Sequence, residues 1–342
     1  MSDSMLYSRH PLATKQGWSA FIAQANPEPP QLLSDADWRK LDGLEREVYD
    51  DARQDYHSSL LLVATPDIRK IIHTGSKLII NNRGKQLGRR GLIVSGSSGT
   101  GKSTSITQLG KKFQVEFERR NPGIPDRIPV VYIVVPPDAN PKALAAEMAV
   151  FLGLPVGRHD SPQALAHTVA AVMRRASTGL VLVDEIHRLD LTTRKGKDAS
   201  DQLKYFFDTI SATFVYAGLD LAETSLFTGV RGRQIAGRFI PVSTEPFAHH
   251  TAEAKRDWIK LVATMERSLR LHHHTPGTLI ELAPYLHART SGMIGSLDQL
   301  IYEAANDAIS DSSEKITRTH LDAVILDIAA NDQYEPPRRP KR

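Results

Sequence analysis

Residues 91–104 have the sequence GLIVSGSSGTGKST, in which the segment from Gly96 to Ser103 follows the pattern G-x-x-x-x-G-K-[ST]. A short apolar run precedes the pattern and predicts a strand, and the segment after it predicts a helix. Glycines let successive backbone N–H groups surround a polyphosphate, and the positive end of the helix dipole faces the same anion. The sequence therefore predicts the phosphate-binding loop of a nucleotide-binding protein.

Two side chains of this loop have predicted roles in binding ATP and Mg²⁺. Lys102 is expected to reach the β- and γ-phosphates, and the hydroxyl of Ser103 to ligate Mg²⁺. A glycine- and serine-rich turn with a chance lysine is the alternative, which the strand-loop-helix context disfavours. The expected nucleotide-binding residues are Gly96, Ser97, Ser98, Gly99, Thr100, Gly101, Lys102, Ser103 and Thr104.

A second apolar run, residues 180–183, ends in Asp184 and Glu185. A continuous apolar run is typical of a strand buried on both faces of a parallel sheet, and such sheets present their ligands at the carboxyl ends of the strands. Asp184 is expected to hold Mg²⁺ together with Ser103, and Glu185 to orient the attacking water as the catalytic base. Without the upstream loop, two solvated acids after a strand would be the simpler interpretation.

Composition limits the classes of protein to consider. The chain has 342 residues, no cysteine and a net charge of +4, so disulfides and cysteine-based zinc sites are excluded. It has no run of eighteen apolar residues and no basic-then-apolar pattern at its beginning, so no membrane segment is expected and a cytoplasmic location is the simplest prediction. The positive charge is a weak indication of polyanionic partners.

Alternating strand and helix patterns predict an α/β fold: a three-layer P-loop core with a parallel sheet, followed by an all-helical lid. A Ser-Asp-Ala-Asp capping box at 34–37 predicts one helix that carries Leu44 and Val48 on its apolar face. The predicted divisions are a flexible arm over 1–33, the core with an N-terminal helical extension over 34–250, the lid over 251–331 and a basic, disordered tail over 332–342.

These motifs together resemble an AAA+ ATPase of the initiator-like branch. The resemblance rests on the phosphate-binding loop, on the sequence Asp-Glu-Ile-His at 184–187 and on the helical C-terminal region, and it spans about residues 36–330. Within that branch the chain looks like the transposon ATPase subunits of the TniB/TnsC kind. Three softer features carry this likeness: Thr-Pro-Asp-Ile at 65–68, a basic loop after Asp-Glu-Ile-His-Arg-Leu, and Ser-Gly-Met-Ile-Gly-Ser-Leu at 291–297.

The resemblance implies an ATPase that forms a homo-oligomer, a ring or a helical filament, on double-stranded DNA. It also implies recruitment or activation of a transposase, a target-selector protein as partner, and disassembly on hydrolysis of ATP to ADP and phosphate. The family's arginine finger corresponds best to Arg238, with Arg231 and Arg233 as rivals. Two departures concern the residues called sensor 1 and sensor 2 in this family. The strand ending at Gly218 offers only Tyr216 as a polar group for sensor 1. The lid has Ile-Gly-Ser at 294–296 where many members carry the sensor 2 arginine, and Arg289 lies too far upstream for that role.

Some interpretations stay open at this point. The basic loops 83–90 and 188–197 are the expected contacts with DNA phosphates, and solvated loops are the alternative. A replication initiator or helicase loader would have the same fold, and a nucleotide-gated signalling switch would bind ATP with little turnover. Glu185 disfavours the switch. The three histidines at 272–274 predict a solvated helix end rather than a metal site.

Overall fold

The computed structural model describes residues 10–59, 63–137, 139–189, 192–219, 221, 237–327 and 330. By its contacts the chain divides into two compact units, each built from two segments. The first comprises Met1–Ala25 and Pro66–Glu245, and the second comprises Asn26–Thr65 and Pro246–Arg342. None of the helices in the described ranges combines the length and apolarity needed to cross a membrane.

The first unit is organised around a five-stranded sheet in which every pair of neighbouring strands is parallel, as predicted. The order across the sheet is β2-β3-β4-β1-β5. Parallel strands place their carboxyl ends at one edge, so the ends of β1 and β3, where the two motifs lie, share that edge. The strands are β1 (Gly91–Gly96), β2 (Val130–Val134), β3 (Leu180–Asp184), β4 (Thr213–Gly218) and β5 (Phe239–Thr244).

Helices before and between these strands pack around the sheet, and three of them begin at a side-chain cap. Asn140, Ser161 and Thr193 each accept a hydrogen bond from a backbone N–H in the first turn of the helix that follows, which satisfies a donor with no partner inside the helix. Together with the sheet they bury one continuous apolar core. The helices are α4 (Pro66–Asn82), α5 (Lys102–Arg120), α6 (Pro141–Phe151), α7 (Pro162–Arg175) and α8 (Arg194–Thr209).

A helix near the beginning of the chain, α1 (Lys15–Ala23), also belongs to the first unit. The prediction of a flexible arm is wrong for this segment, because Trp18 anchors it with only 2% of its surface exposed. The indole stacks on Tyr132 at a centroid distance of 5.9 Å and donates to Gln114 Oε1 at 2.7 Å. A Cβ at Gly110 would approach the indole to 2.7 Å, so glycine makes room for it on α5.

The second unit is helical, and the predicted helical C-terminal region is confirmed. Residues 34–58, which the sequence predicts as an extension of the core, belong to this unit instead. The single helix predicted there is interrupted, because Asp42 caps a new helix through Glu45, and Leu44 and Val48 are 71% and 63% exposed. The helices are α2 (Asp35–Trp38), α3 (Gly43–Ser58), α9 (Ala252–Ser268), α10 (Thr278–Glu281), α11 (Ala283–Thr290), α12 (Ile294–Ser310) and α13 (Arg318–Ala323).

The three consecutive histidines follow α9 in this unit, and the solvated position predicted for them is wrong for His272 and His274, whereas His273 is 38% exposed. The His272 side chain is 2% exposed, stacks on Trp38 at 4.7 Å and bonds the hydroxyl of Tyr49 at 2.9 Å. His274 is 5% exposed and lies 3.1 Å from Glu266. Within the described residues no group of histidine and acidic side chains is arranged to hold a metal.

A fully buried ion pair joins α3 to the segment after α12. Arg53 Nη1 lies 2.6 Å from Glu314 Oε2, Arg53 Nη2 lies 2.8 Å from Oε1, and both side chains have 0% exposure. The two residues are 261 positions apart in sequence. Because neither charge can regain water while the unit is folded, each depends on the other.

Arg53→Met is expected to destabilise the second unit by about 3–5 kcal/mol, because it leaves the Glu314 carboxylate buried without its main counter-charge. Arg53→Met combined with Glu314→Leu is the control, and it should recover most of this loss. Thermal unfolding and amide hydrogen exchange in α3 and α12 measure the effect. A single variant as stable as the wild type would show that the pair does not hold α3 in place.

Candidate nucleotide site

The predicted phosphate-binding loop lies between the end of β1 and the start of α5. Gly101 precedes the helix with φ 87°, a left-handed conformation that glycine adopts without strain. Because the cap residue Gly101 has no side chain, it makes no capping hydrogen bond to the first turn of α5, and that turn contains no acidic residue. A helix beginning of this kind presents backbone N–H groups and a positive dipole end that a phosphate can bind.

Thr244, at the end of β5, packs against this loop and is hydrogen-bonded to it. The sequence does not predict this contact. A Cβ at Gly96 would lie 2.1 Å from the carbonyl oxygen of Thr244, so the two backbones approach as closely as only glycine permits. The hydroxyls of Thr244 and Thr100 are 2.7 Å apart, and Thr100 donates to the carbonyl of Ser97 at 2.8 Å. The loop is therefore held by hydrogen bonds of its own chain.

Lys102 and Ser103 occupy the first turn of α5. Lys102 is 6% exposed, and its Nζ donates to the carbonyl of Ser97 at 2.5 Å, so the ammonium is folded back over the loop. Ser103 is exposed at the same helix end. A concave loop with an inward ammonium and an accessible hydroxyl fits the chemistry of a magnesium–polyphosphate ligand.

The buried carboxylate of Asp184 ends β3 and is 2% exposed. Its Oδ2 accepts from the hydroxyl of Tyr132 at 3.1 Å and its Oδ1 from the backbone N–H of Glu185 at 2.9 Å. Burial, and then the charge of Asp184, raise the pKa of Tyr132 well above its usual range, so the phenol remains a donor. Sequence analysis missed Tyr132, whose one signal is a polar group inside an apolar strand.

Glu185 follows with φ 57° and ψ 33°, a left-handed conformation that costs energy for a residue with a side chain. Its Oε2 lies 3.2 Å from Arg188 Nη2 and 3.6 Å from His187 Nε2. The carboxylate is 29% exposed, so water can reach it. Strain of this kind is frequent at functional sites, which agrees with the importance that the sequence assigns to this residue.

The donor set at this edge fits both ATP and Mg²⁺. The hydroxyl of Ser103 and the carboxylate of Asp184 are oxygen ligands of the type that Mg²⁺ prefers. Val183 on β3 is paired in register with Tyr216 on β4, and Ser95 on β1 is paired with Gly218 on β4. The carboxyl ends of β1 and β3, which carry the two motifs, therefore lie at nearly the same position along β4, the strand between them.

Arg238, the predicted arginine finger, lies at the amino ends of the strands, opposite the carboxyl ends that carry the phosphate-binding loop. Its carbonyl accepts from the N–H of Gly91 at the start of β1 at 2.9 Å, whereas the phosphate-binding loop follows the end of that strand. Six strand residues separate these ends by roughly 20 Å. Arg238 is 48% exposed, and its Nη1 lies 2.5 Å from Asp208 Oδ1. Its rivals Arg231 and Arg233 lie outside the described residues.

The structure corrects the interpretation of two arginines in the basic loops. Arg89 is 6% exposed and donates to the carbonyls of Phe207, Asp208 and Ile210 at the end of α8, so it stabilises a helix end. Arg188 donates to the carbonyl of Val135 and pairs with Glu185. Neither guanidinium is free for DNA, although the other basic residues at 83–90 and 194–197 are exposed.

The two loops also lie at opposite edges of the sheet, because one precedes β1 and the other follows β3. They therefore form two separate basic patches rather than one continuous surface. Residues 194–197, predicted as part of a loop, form the first turn of α8 and share the edge of the nucleotide site.

Tyr216 and Arg289, the side chains nearest the two sensor positions in sequence, are both buried. Tyr216 is buried and stacks on Phe239 at 4.6 Å, so it is part of the core. Past the end of β4, the N–H of Leu219 donates to His187 Nδ1 at 3.2 Å. In the second unit Arg289 is buried and donates to the carbonyl of Val324 at 2.8 Å.

Several solved structures are similar to this chain. Aeropyrum pernix ORC1 in complex with DNA gives a TM-score of 0.56 at 18% identity, over 81% of this chain and 67% of that one. Aeropyrum pernix ORC2, solved as ADPNP–ADP complexes, gives 0.58 at 12% identity, over 76% and 67%. Drosophila ORC bound to DNA gives 0.52 at 16% identity, over 90% and 72%. At these identities the likeness establishes the fold alone, a parallel α/β core of the P-loop type followed by a helical region.

Comparison of sequences identifies the family. No curated protein matches the chain significantly. The model of the family described as "Bacterial TniB protein" matches residues 53–249, more than half of the 342 residues, including both nucleotide-site motifs. The chain belongs to the bacterial TniB protein family.

Proposed function

We propose that this protein is an ATPase that assembles as a homo-oligomer on double-stranded DNA, recruits or activates a transposase, and hydrolyses ATP to disassemble. The observation that carries the proposal is the joint presence, at one edge of the sheet, of the phosphate-binding loop and the buried Asp184 followed by Glu185. A binding switch without turnover has no need of a strained, accessible glutamate directly after the buried aspartate.

Each residue of the site has one task in this proposal. The Lys102 ammonium exchanges its contact with Ser97 for the β- and γ-phosphates of ATP. Ser103 and Asp184 would hold Mg²⁺, which neutralises charge on the phosphates when it is bound. Tyr132 keeps the carboxylate of Asp184 in place through its hydroxyl. Glu185 orients the attacking water and accepts its proton.

The proposed DNA contacts are the exposed cations near the start of α8. Arg194, Lys195 and Lys197 are exposed at the edge of the sheet that carries the nucleotide site. Backbone phosphates are bound by such charges without regard to sequence. The names of two structural neighbours, ORC1 and Drosophila ORC, state that those proteins were solved with DNA, which supports the proposal.

DNA binding is expected to be almost independent of sequence and to weaken steeply with salt. In a plot of log affinity against log salt, each phosphate contact contributes about −0.9 to the slope on duplex DNA. Fluorescence anisotropy on unrelated duplexes, with a slowly hydrolysed ATP analogue, measures both properties. Lys195→Ala should make the slope less negative by roughly one contact and weaken binding to all sequences alike. Strong preference for one duplex, or no binding to any, contradicts the proposal.

A replication initiator or helicase loader is the second candidate, favoured by the fold shared with ORC1 and ORC2. Family membership favours transposition over this candidate. An integrase-type transposase encoded beside this protein, and stimulated by it in a strand-transfer assay, would support the first function. Stimulated loading of a replicative helicase without any effect on transposase would support the second.

A further inference from the structure

Arg188 lies over the candidate catalytic base because of the backbone that connects them. Residues Ile186–Arg188 form a single 3₁₀ turn directly after Glu185. In this type of turn the side chains of residues three apart eclipse one another, which brings the guanidinium above the carboxylate. The distance from Arg188 Nη2 to Glu185 Oε2 is 3.2 Å.

The other terminal nitrogen of Arg188 is anchored to the neighbouring strand. Nη1 donates to the carbonyl of Val135 at 3.0 Å, just after the end of β2. The N–H of Val135 in turn donates to the carbonyl of Asp184 at 2.9 Å. The guanidinium is therefore fixed at one side by the backbone beside Asp184 and holds Glu185 with its other side.

His187, in the same turn as Arg188, approaches the same carboxylate oxygen and is bonded to backbone just after β4. Its Nδ1 accepts the N–H of Leu219 at 3.2 Å, so in the neutral ring the proton is on Nε2. Nε2 lies 3.6 Å from Glu185 Oε2, too far for a hydrogen bond but favourable for a donor facing a carboxylate. Arg188 and His187 thus link Glu185 Oε2 to the backbone at the ends of β2 and β4.

Arg188 and His187 each make their shortest contact with Oε2, and among the described residues no hydrogen bond to Oε1 is found. We propose that Arg188, assisted by His187, is a positioning residue that holds Glu185 by Oε2 and leaves Oε1 to accept the proton of the attacking water. The inference rests on the proposed ATP hydrolysis. It also gives Arg188 a task other than the DNA contact expected of its loop.

The strained backbone of Glu185 supports this assignment. A left-handed residue with a side chain persists only where its surroundings hold it, and the ion pair with Arg188 does so. Misplacement of a reacting group by about 1 Å can cost roughly 10²-fold in rate. Loss of Arg188 should consequently reduce the rate of hydrolysis and leave nucleotide binding unchanged.

The test measures kcat and ATP affinity separately for variants at position 188. Arg188→Ala should lower kcat by roughly 10–100-fold with ATP affinity unchanged. Arg188→Lys should recover part of the rate, because one ammonium can reach either Glu185 or the carbonyl of Val135 but lacks the two-sided fork. Arg175→Ala removes an exposed arginine at the end of α7 and serves as the control, with kcat unchanged.

A double-mutant cycle shows whether Arg188 acts through Glu185. In a Glu185→Gln background, where the base is already lost, Arg188→Ala should have almost no further effect on kcat. An equal loss in both backgrounds would overturn the inference, as would a kcat at or above the wild-type value in Arg188→Ala. If Arg188→Ala does not fold, the same cycle with Arg188→Lys decides the matter.

Failure of the proposed function would look different. A wild-type protein without ATP hydrolysis refutes the proposed function itself. A wild-type protein that hydrolyses ATP, and loses this activity in Glu185→Gln but not in Arg188→Ala, refutes only the positioning role. A parallel loss of ATP affinity and kcat in Arg188→Ala, with no recovery in Arg188→Lys, would mean that Arg188 stabilises the site as a whole, which also refutes it.

Discussion

Arg238→Ala is expected to reduce ATP turnover by roughly 10³–10⁵-fold while ATP binding is unchanged, because an arginine finger acts on charge that develops in the transition state. The position of Arg238 at the start of β5 separates it from the phosphate-binding loop of its own chain by the length of β1. If Arg238 is the finger, it therefore serves the site of a neighbouring subunit.

Action on a neighbour predicts that two inactive variants restore one another. The Arg238→Ala protein keeps Glu185, and the Glu185→Gln protein keeps Arg238. Where an Arg238→Ala subunit supplies the nucleotide pocket and a Glu185→Gln subunit supplies the arginine finger, the shared site contains both catalytic residues. Phosphate release on DNA should reappear in an equimolar mixture, as a fraction set by how often that pairing forms. Mixtures that assemble together without any recovery would contradict the role, and Arg231 and Arg233 would be tested next.

The variant Asp208→Asn distinguishes the role of Arg238 as an arginine finger from a structural role in its ion pair with Asp208. Arg238 pairs with Asp208 across a half-exposed surface, so the ion pair contributes little to stability. If Arg238 acts as the finger, Asp208→Asn should retain turnover within a few-fold of the wild type. A loss as large as that of Arg238→Ala would instead show that the ion pair itself is what matters.

Lys102→Ala should remove tight ATP binding, since the buried ammonium is the main counter-charge that the chain offers to the β- and γ-phosphates. Hydrogen bonds to charged groups contribute about 1.5–3 kcal/mol each, so loss of two corresponds to at least about 100-fold in affinity. Glu185→Gln should keep the affinity and trap the ATP-bound state, because the amide retains the shape of glutamate and loses its basicity.

Equilibrium binding of a fluorescent ATP analogue compares these two variants directly. We expect Lys102→Ala to lose ATP binding. We expect Glu185→Gln to keep the wild-type affinity and to form longer-lived assemblies on DNA. Equal loss of affinity in both variants would contradict the separate roles of Lys102 and Glu185.

The sequence predicts the strands and the helix that carry the candidate site's motifs, because each motif is local. The loop from Gly96 to Ser103 needs only its own glycines and the helix that follows, and Asp184 and Glu185 need only the end of a buried strand. The parallel sheet follows from the alternation of strands and helices. Thr244 and Tyr132, which support these motifs from β5 and β2, could not be found this way, because their contacts join residues 144 and 52 positions apart.

The predictions that are wrong fail for the same reason: they depend on contacts between residues far apart in the sequence. The predicted arm contains α1 because Trp18 packs on Tyr132 and Gln114, and nothing near Trp18 in sequence indicates this pocket. Residues 34–58 belong to the second unit, in which Arg53 pairs with Glu314, 261 positions away in sequence. Arg89 and Arg188 look like DNA contacts because charge in a loop is usually solvated, and only the fold shows the carbonyls that they bind.

The decisive experiment measures phosphate release by the wild-type protein and by Glu185→Gln, each with and without duplex DNA. We expect ATP hydrolysis by the wild type that increases on DNA, and a Glu185→Gln protein that binds ATP and DNA but releases phosphate at least about 100-fold more slowly. Equal phosphate release by the two proteins, or none by the wild type while it binds both ligands, would contradict the proposed function.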